Sequence, residues 1–350
     1  MHVRTDVVVI GAGQAGLSAA YHLRRTGFRN NSGFVLLDHG KRPGGAWQYR
    51  WPSLRLGKVH GIHDLPGIAL GDPEPDRPAS DVVSEYFGRY ERTFDLPVLR
   101  PVDVLSVRDE GERLLVESAT GSWSARALIN ATGTWDRPFW PHYPGQETFR
   151  GRQLHTADFQ SAEEFRGKHV VVVGGGTSGV QLLLEIAEVA SGTTWVTRRE
   201  PEWFDLDFTP GLGRRAVAKV ERRVREGLPP GSVVSVTGLV RTPEVRRGIE
   251  QGILDRKPMF ERLTGDGIVW PDGTGQRADV ILWATGFRAA LDHLAPLHLR
   301  APGGGIRMAG TRVVADPRLH LVGYGPSAST IGANRAGRSA VTEIRRLLDR

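Results

Sequence analysis

The chain has 350 residues, with 44 glycines and no cysteine. Without cysteine it cannot form a disulfide, a thiolate zinc site or an iron–sulfur cluster, and any redox chemistry cannot run through a dithiol. The formal net charge is +7, and the densest arginines, at 214–225, have the helical spacing of a solvated helix face. Attraction of an anionic nucleotide is the second interpretation of this charge.

No run of residues approaches the roughly 20 apolar positions that a membrane span needs. The N-terminus lacks the layout of a signal peptide and leads directly into the apolar segment Val7–Ile10. We therefore expect a cytoplasmic protein that binds neither a membrane nor a nucleic acid, and we expect no metal site.

The first 40 residues have the rhythm of a strand–helix–strand unit. Asp6–Ile10 predicts a strand, Ala15–Arg25 a helix and Phe34–Asp38 a second strand. Further along, the pattern predicts a helix at 81–94 and strands at 102–107, 113–117 and 127–131.

The same pattern then occurs a second time. Val170–Val173 predicts a strand, which is followed by a glycine turn, a helix to Ala190 and a strand at Thr193–Thr197. Each copy is followed later by a buried strand that ends in Ala-Thr-Gly, at 131–133 and at 284–286. The repeat predicts an α/β fold with two Rossmann-like dinucleotide-binding domains.

The first glycine turn has the G-x-G-x-x-G pattern at Gly11, Gly13 and Gly16, between a strand and a helix. Gly11 permits the tight turn, Gly13 lets the backbone approach a pyrophosphate, and Gly16 allows close packing of the helix. Asp38 follows 22 positions after Gly16, at the end of the next strand. A carboxylate there can accept hydrogen bonds from a ribose diol, so the segment predicts a dinucleotide site.

The second glycine turn has the same pattern and context. Its expected nucleotide contacts are Gly174, Gly176, Ser178 and Gly179. The strand after it ends in Thr197, Arg198 and Arg199 instead of an acid. Cations at this position suit a 2′-phosphate, which favours NADPH over NADH, although a plain surface arginine is the alternative interpretation.

Two dinucleotide sites without a cysteine pair indicate FAD at the first turn and NADPH at the second. Disulfide reductases share this layout but need a redox dithiol. Leu319–Gly323 predicts a further strand that ends in glycine, so the tail is expected to return to the first domain. The NADPH-binding domain, 161–285, is thus predicted to be inserted into an FAD-binding domain formed by 1–160 plus 286–350.

A segment between the two turns carries Phe149, Gly151, His155 and Phe159. This spacing resembles the F-x-G-x-x-x-H-x-x-x-(W/F/Y) signature of the flavin-containing monooxygenases, the class B flavoprotein monooxygenases. Gly44–Trp47 resembles their G-G-x-W segment, and the two Ala-Thr-Gly strands resemble theirs as well. The resemblance runs from about residue 5 to the C-terminus.

The resemblance implies an enzyme in which NADPH reduces FAD and the reduced flavin reacts with O₂ to a C4a-hydroperoxide, which oxygenates a small molecule at nitrogen or sulfur. It implies further contacts to FAD at Gly45, Trp47, Gly133 and Gly323, and to NADPH at Gly286. Gln160 stands where the Baeyer–Villiger branch has Pro or Asp, which lowers that alternative, and Tyr324 stands where many flavoproteins have Asp.

No catalytic triad is found. By position in the resemblance, the candidates for a catalytic or positioning role are His155, Asn334 and Arg55. A packed structural histidine is the competing interpretation for His155, and a surface ion pair is the competing interpretation for Arg55. Two other functions stay open: a Baeyer–Villiger ketone monooxygenase, and a flavin-dependent NADPH oxidoreductase that passes electrons to another acceptor. The expected partners are a small substrate and O₂, and a homodimer is left open.

Overall fold

A computed structural model describes residues 2–59, 62–205, 210–231 and 238–349. The chain divides into two compact units. Unit 1 comprises Met1–Thr134, Val217–Gly231 and Ala289–Arg350, and unit 2 comprises Trp135–Ala216 and Ser232–Arg288.

The described residues form the following strands and helices, in chain order. The strands are β1 (His2–Ile10), β2 (Phe34–Leu37), β3 (Val98–Leu99), β4 (Val104–Asp109), β5 (Leu114–Ser118), β6 (Gly121–Asn130), β7 (Arg152–His155), β8 (His169–Val173), β9 (Gly192–Val196), β10 (Trp203–Phe204), β11 (Leu239–Val240), β12 (Arg256–Lys257), β13 (Arg262–Thr264), β14 (Gly267–Val269), β15 (Gly275–Arg277), β16 (Val280–Trp283), β17 (Met308–Ala309), β18 (Arg312–Val313) and β19 (Leu319–Leu321). The α-helices are α1 (Gln14–Arg25), α2 (Ala79–Thr93), α3 (Thr177–Ala187), α4 (Pro210–Arg225), α5 (Pro243–Glu250) and α6 (Thr330–Leu347).

In the sheet of unit 1, β1 lies between β6 and β2 and is parallel to both. The full order is β17-β18-β19-β6-β1-β2-β3, and the antiparallel strands β5 and β4 are added beside β6. Val7 and Val9 face a core shared with α1, α2 and α6, whereas Val8 and Ile10 face a second core shared with β4 and β5. Because both faces are covered there, the second half of β1, Val7–Ile10, is apolar at every position instead of alternating.

Unit 2 contains a parallel sheet in the order β12-β9-β8-β16-β7. A separate antiparallel sheet of β13, β14 and β15 packs through Ile268 and Leu263 into the same core as Val171 and Ile281. The indole of Trp283 is fully buried in this core and stacks on Tyr143 at 5.8 Å.

The predicted α/β fold with two Rossmann-like units is confirmed, and the predicted strands and helices are present with shifted ends. The helix of the second repeat is shorter than predicted: α3 ends at Ala187 rather than Ala190. The Ala190 N–H still donates to Ile186 O, as a closing turn. The division into nucleotide domains at residues 160 and 285 stays a prediction.

The arginine-rich run of the sequence lies on α4. Arg222 and Arg225 are exposed while Val220 and Val224 are buried, the pattern of a surface helix. The side chains of Arg214 and Arg215 lie outside the described residues. Within the described part of the chain, none of the helices combines the length and the apolar character that crossing a membrane requires.

Candidate nucleotide sites

The first glycine turn connects β1 to α1, and two of its glycines are dictated by packing. Gly11 has φ +96°, and a Cβ there would lie 2.6 Å from the Ala131 carbonyl oxygen. A Cβ on Gly16 would overlap the carbonyl oxygen of Gly11. Gly13 differs, because the nearest atom to a Cβ there would be Gly45 Cα, 3.9 Å away. The middle glycine therefore leaves open space at the start of α1.

The second turn, between β8 and α3, repeats this arrangement. Gly174 has φ +144°, and a Cβ there would overlap the carbonyl oxygen of Ala284. A Cβ on Gly179 would lie 3.0 Å from Gly174 O, whereas a Cβ on Gly176 would meet nothing within 4 Å. The three glycines thus have the same roles in both turns: a tight turn, an open cradle and a close contact.

The two cradles suit a pyrophosphate. Gly13 and Gly176 are the N-caps of α1 and α3, so no side chain competes for the first N–H groups of either helix. The first turn of each helix also contains no acidic residue. Helix N-termini of this kind present N–H donors and a positive dipole end to an anion.

After β2, the structure places Asp38 beside the first turn, 4% exposed. Its Oδ1 accepts a hydrogen bond from Ala12 N at 3.3 Å, and its Oδ2 accepts one from Arg100 Nε at 2.5 Å. Arg100 in turn donates to both carboxylate oxygens of Glu91, at 2.7 and 2.6 Å. A carboxylate has about four lone-pair sites, so Asp38 keeps acceptor capacity for a ribose diol.

Arg100, which forms ion pairs with both Asp38 and Glu91, was not found by sequence reasoning. Burial opposes the positive charge, but the hydrogen bonds to Glu91 and Asp38 outweigh burial and raise the pKa of Arg100. Two carboxylates and one guanidinium leave a net charge of about −1 at the end of β2. Such a site disfavours a phosphate and suits hydroxyl donors.

After β9, unit 2 has Thr197 at the position of Asp38. The correspondence follows from the backbone, because Gly11 N donates to Leu37 O and Gly174 N donates to Val196 O. Arg198 and Arg199 come next and are exposed. No carboxylate of a described residue forms a salt bridge with either of them.

The two Ala-Thr-Gly strands end beside their glycine turns. Gly133 and Gly286 have φ values of +66° and +78°, and a Cβ on either would meet nothing within 4 Å. The threonine hydroxyls fix the following turns, Thr132 by donating to Ala290 O at 2.6 Å and Thr285 by donating to Phe139 O.

The G-G-x-W segment lies directly on the first turn. Gly45 has φ +52°, and a Cβ there would lie 2.8 Å from Gly13 Cα. The short 3-10 helix Gly45–Tyr49 then places Trp47, half-buried, against the core that includes α1. Gly323 lies beside α1, since a Cβ on Gly323 would lie 3.4 Å from Ala15 Cβ. The structure thus brings Gly45 and Gly323 to the first turn.

His155 ends β7 and is fully buried. Its Nδ1 accepts a hydrogen bond from Ala157 N at 3.1 Å, so the proton resides on Nε2, which donates to Gly286 O at 3.0 Å. Burial lowers the pKa of His155, against the smaller effects of the Gly286 hydrogen bond and Asp158. A neutral imidazole with both nitrogens engaged holds Gly286 in place and has no nitrogen available for proton transfer.

The other two candidates have structural partners. The Asn334 amide accepts from Gln14 Nε2 at 3.1 Å and donates to Asp64 O at 2.7 Å, so it joins α1, α6 and the loop before residue 65. Arg55 is exposed and donates to the Asp76 carbonyl at 3.1 Å. A catalytic role for either residue stays a prediction.

Comparisons with known proteins agree with this arrangement. A family model described as pyridine nucleotide-disulphide oxidoreductase matches residues 8–227. A solved flavin-containing monooxygenase from Stenotrophomonas maltophilia is 38% identical, with 99% of each chain covered and a TM-score of 0.84. A curated relative from Geobacillus kaustophilus, an uncharacterized oxidoreductase CzcO-like, is 29% identical over 84% of this chain and 87% of its own. A Baeyer-Villiger monooxygenase from Streptomyces coelicolor is 28% identical over 72% of this chain and 46% of its own.

The fold and the glycine turns define a dinucleotide-dependent oxidoreductase. The chain belongs to the pyridine nucleotide-disulphide oxidoreductase family and, within it, to the flavin monooxygenases, which use FAD and NADPH. The predicted family, enzyme class and cofactors are therefore confirmed. The absence of cysteine excludes the disulphide chemistry in the family's name. The assignment of individual residues to each nucleotide stays a prediction.

Proposed function

We propose that this flavin monooxygenase oxygenates a small molecule at nitrogen or sulfur, with FAD at the first glycine turn and NADPH at the second. The assignment of the two nucleotides depends on the contrast between the residues that follow β2 in unit 1 and those that follow β9 in unit 2. Unit 1 has the buried, paired carboxylate of Asp38, and unit 2 has the exposed cations Arg198 and Arg199. Only the arrangement in unit 2 offers exposed positive charge to a 2′-phosphate.

Each nucleotide would be held by residues of one unit. Gly11, Gly13 and Gly16 would receive the FAD pyrophosphate, Asp38 the adenosine ribose, and Gly45, Trp47, Gly133 and Gly323 other parts of the cofactor. Gly174, Gly176, Ser178 and Gly179 would receive the NADPH pyrophosphate, Arg198 and Arg199 its 2′-phosphate, and Gly286 another part of it. Unit 1 is thus the proposed FAD unit and unit 2 the proposed NADPH unit.

Bound FAD would supply the oxygen chemistry, for which a C4a-hydroperoxide formed from the reduced flavin and O₂ is our proposal. The residues of the chain would bind, orient and exclude water. The hydrogen bond from His155 to Gly286 fixes the end of β16, and the Asn334 amide fixes the start of α6 against α1. The engaged nitrogens of His155 support a mechanism in which this residue positions the backbone and transfers no proton.

A Baeyer–Villiger ketone monooxygenase is the second candidate. The similarity to the Streptomyces coelicolor enzyme favours it, and the sequence Phe159-Gln160 at the end of the signature segment disfavours it. Electron transfer from NADPH to another acceptor is the third candidate, and the same experiment separates all three.

The test measures NADPH consumption, O₂ uptake and product with an amine, a thioether and a cyclic ketone as substrates. We expect one O₂ per NADPH and an N- or S-oxide. An ester from the ketone, with no N- or S-oxide, would replace the first candidate by the second. NADPH oxidation that continues without O₂ when an artificial electron acceptor is added, and yields no oxygenated product in air, would exclude both.

A further inference from the structure

We infer that Arg256 is a positioning residue for NADPH selectivity, because it fixes the turn that carries Arg198 and Arg199. The inference rests on the proposed NADPH site in unit 2. Arg256 has no sequence motif of its own, and it reaches this turn from the neighbouring strand β12.

The guanidinium of Arg256 holds one residue with two donors. Its Nε donates to Thr197 Oγ1 at 2.9 Å, and its terminal nitrogen donates to the Thr197 carbonyl at 3.1 Å. The backbone adds a third hydrogen bond, from Thr197 N to Lys257 O at 3.1 Å. A rigid fork is needed to reach both oxygens at once, and the single ammonium group of lysine does not have this geometry.

Thr197 passes this constraint on to the arginine turn. It is 2% exposed, and its hydroxyl donates to the Arg199 carbonyl at 2.6 Å while it accepts from Arg256. On its other side, the methyl group of Thr197 would lie 3.5 Å from a Cβ on Gly175. One buried residue therefore connects Arg256, the backbone of Arg199 and the second glycine turn.

The positive charge of Arg256 also differs from that of Arg100 in its partners. In unit 1, Arg100 reaches Asp38 from the equivalent neighbouring strand and is neutralised by two carboxylates. The partners of Arg256 are a hydroxyl and a carbonyl, and no salt bridge joins it to any residue that the structure describes. A phosphate bound at this turn would therefore meet a fixed backbone next to uncompensated positive charge.

Calorimetric titration of the FAD-loaded enzyme with 2′,5′-ADP and with 5′-AMP tests the inference, since the two probes differ only in the 2′-phosphate. The variants are Arg256→Lys, which keeps the charge and loses the fork, and Thr197→Val, which removes the hydroxyl. Arg150→Lys is the matched control, because Arg150 is an exposed arginine of the same unit that donates to the Gly265 carbonyl at 3.3 Å. Arg198→Ala tests the underlying site.

We expect Arg256→Lys and Thr197→Val each to weaken the binding of 2′,5′-ADP by roughly tenfold, the effect of one lost hydrogen bond to a charged group. The affinity for 5′-AMP is expected to stay within about twofold of wild type. Arg150→Lys is expected to change neither. Equal weakening of both probes would reduce Arg256 to a structural residue and overturn the inference, as would unchanged binding. If Arg198→Ala weakens 2′,5′-ADP selectively while the Arg256 and Thr197 variants do not, the inference fails and the proposed site stands. If Arg198→Ala also has no selective effect, the proposed site itself fails.

Discussion

The two glycine turns are built alike and surrounded differently. In each, the first glycine has a positive φ against an alanine carbonyl, the second is open and the third packs on the first. In unit 1 the residue after β2 is the acid Asp38, which is held by Arg100. In unit 2 the residue after β9 is Thr197, which is held by Arg256. The phosphate cradle is thus common to both units, and the difference lies in the charge beside it.

This comparison shows where nucleotide selectivity can change without altering the fold. The pyrophosphate contact depends on main-chain geometry, which both turns share. Discrimination at the ribose depends on a few side chains at the end of the second and third strands. In unit 1, Asp38 and the Glu91 side chain of α2 carry two negative charges and Arg100 carries one positive charge. In unit 2, Thr197 is neutral, and Arg198, Arg199 and Arg256 are positive.

The largest expected effect is the difference between alanine substitutions at Gly16 and Gly179, the third glycines of the two turns. Gly16→Ala places a Cβ over the Gly11 carbonyl oxygen, which is main chain and cannot move without opening the turn. We expect this variant to purify without FAD or not to fold. Gly179→Ala leaves 3.0 Å to Gly174 O, so we expect a folded enzyme that is less stable by about 1 kcal/mol. Thermal melting and flavin absorbance of the purified variants measure both, and equal behaviour would refute the packing argument.

The next effect concerns the acid of unit 1. Arg100→Met leaves the carboxylates of Asp38 and Glu91 buried without their cation. We expect this change to lower the free energy of unfolding by about 3 kcal/mol and to weaken the binding of FAD. The control is Arg77→Met, because the Arg77–Glu85 pair is 37% and 63% exposed, and solvent screening leaves such a pair little effect on stability. Urea unfolding and FAD titration of the apoprotein are the measurements. Equal stability losses in the two variants would show that Arg100 does not stabilise Asp38.

A smaller effect is expected at the cations of unit 2. Replacing both Arg198 and Arg199 with Ala removes charge-assisted contacts to the 2′-phosphate. The KM for NADPH should rise at least about tenfold, while the KM for NADH stays within about twofold. Steady-state kinetics with both nucleotides decide the matter, and a parallel rise in the two KM values would exclude the 2′-phosphate role.

The smallest expected effect is at His155. His155→Ala removes the donor to Gly286 O and leaves space beside Phe287, whose ring lies 4.9 Å away. We expect a few-fold rise in hydrogen peroxide formed per NADPH consumed, with a near-normal rate of flavin reduction. The proposed oxygenation step would depend more than flavin reduction on a well-ordered site that excludes water. His155→Gln, which can still donate to Gly286, is the control. An unchanged peroxide ratio with only a lower melting temperature would make His155 a packing residue.

The sequence was informative wherever a constraint is local. Positive φ and close backbone contact require glycine at Gly11 and Gly174, and that requirement can be recognised from the residues alone. Arg100 and Arg256 could not be found in this way. Each belongs to a two-residue strand or follows one, which has no periodicity, and each contacts a residue about 60 positions away. Pairings of this kind depend on the order of strands in the sheet.

The candidate residues show the same limit. The spacing around His155 predicted a special position, but the hydrogen bonds that fix its tautomer come from Gly286 and Ala157, one distant and one local. The sequence placed Asn334 and Arg55 by resemblance alone, and their partners, Gln14 and Asp76, emerge only in the folded chain.

The central claim is that each glycine turn holds its own nucleotide, and a matched pair of variants tests it most directly. Gly13→Val and Gly176→Val each fill one open cradle, with little contact to the protein itself. Flavin content and 2′,5′-ADP binding are measured on both purified proteins. We predict that Gly13→Val loses FAD, and that Gly176→Val retains FAD and loses 2′,5′-ADP. Full flavin content in Gly13→Val, or loss of flavin in a folded Gly176→Val, would contradict the account.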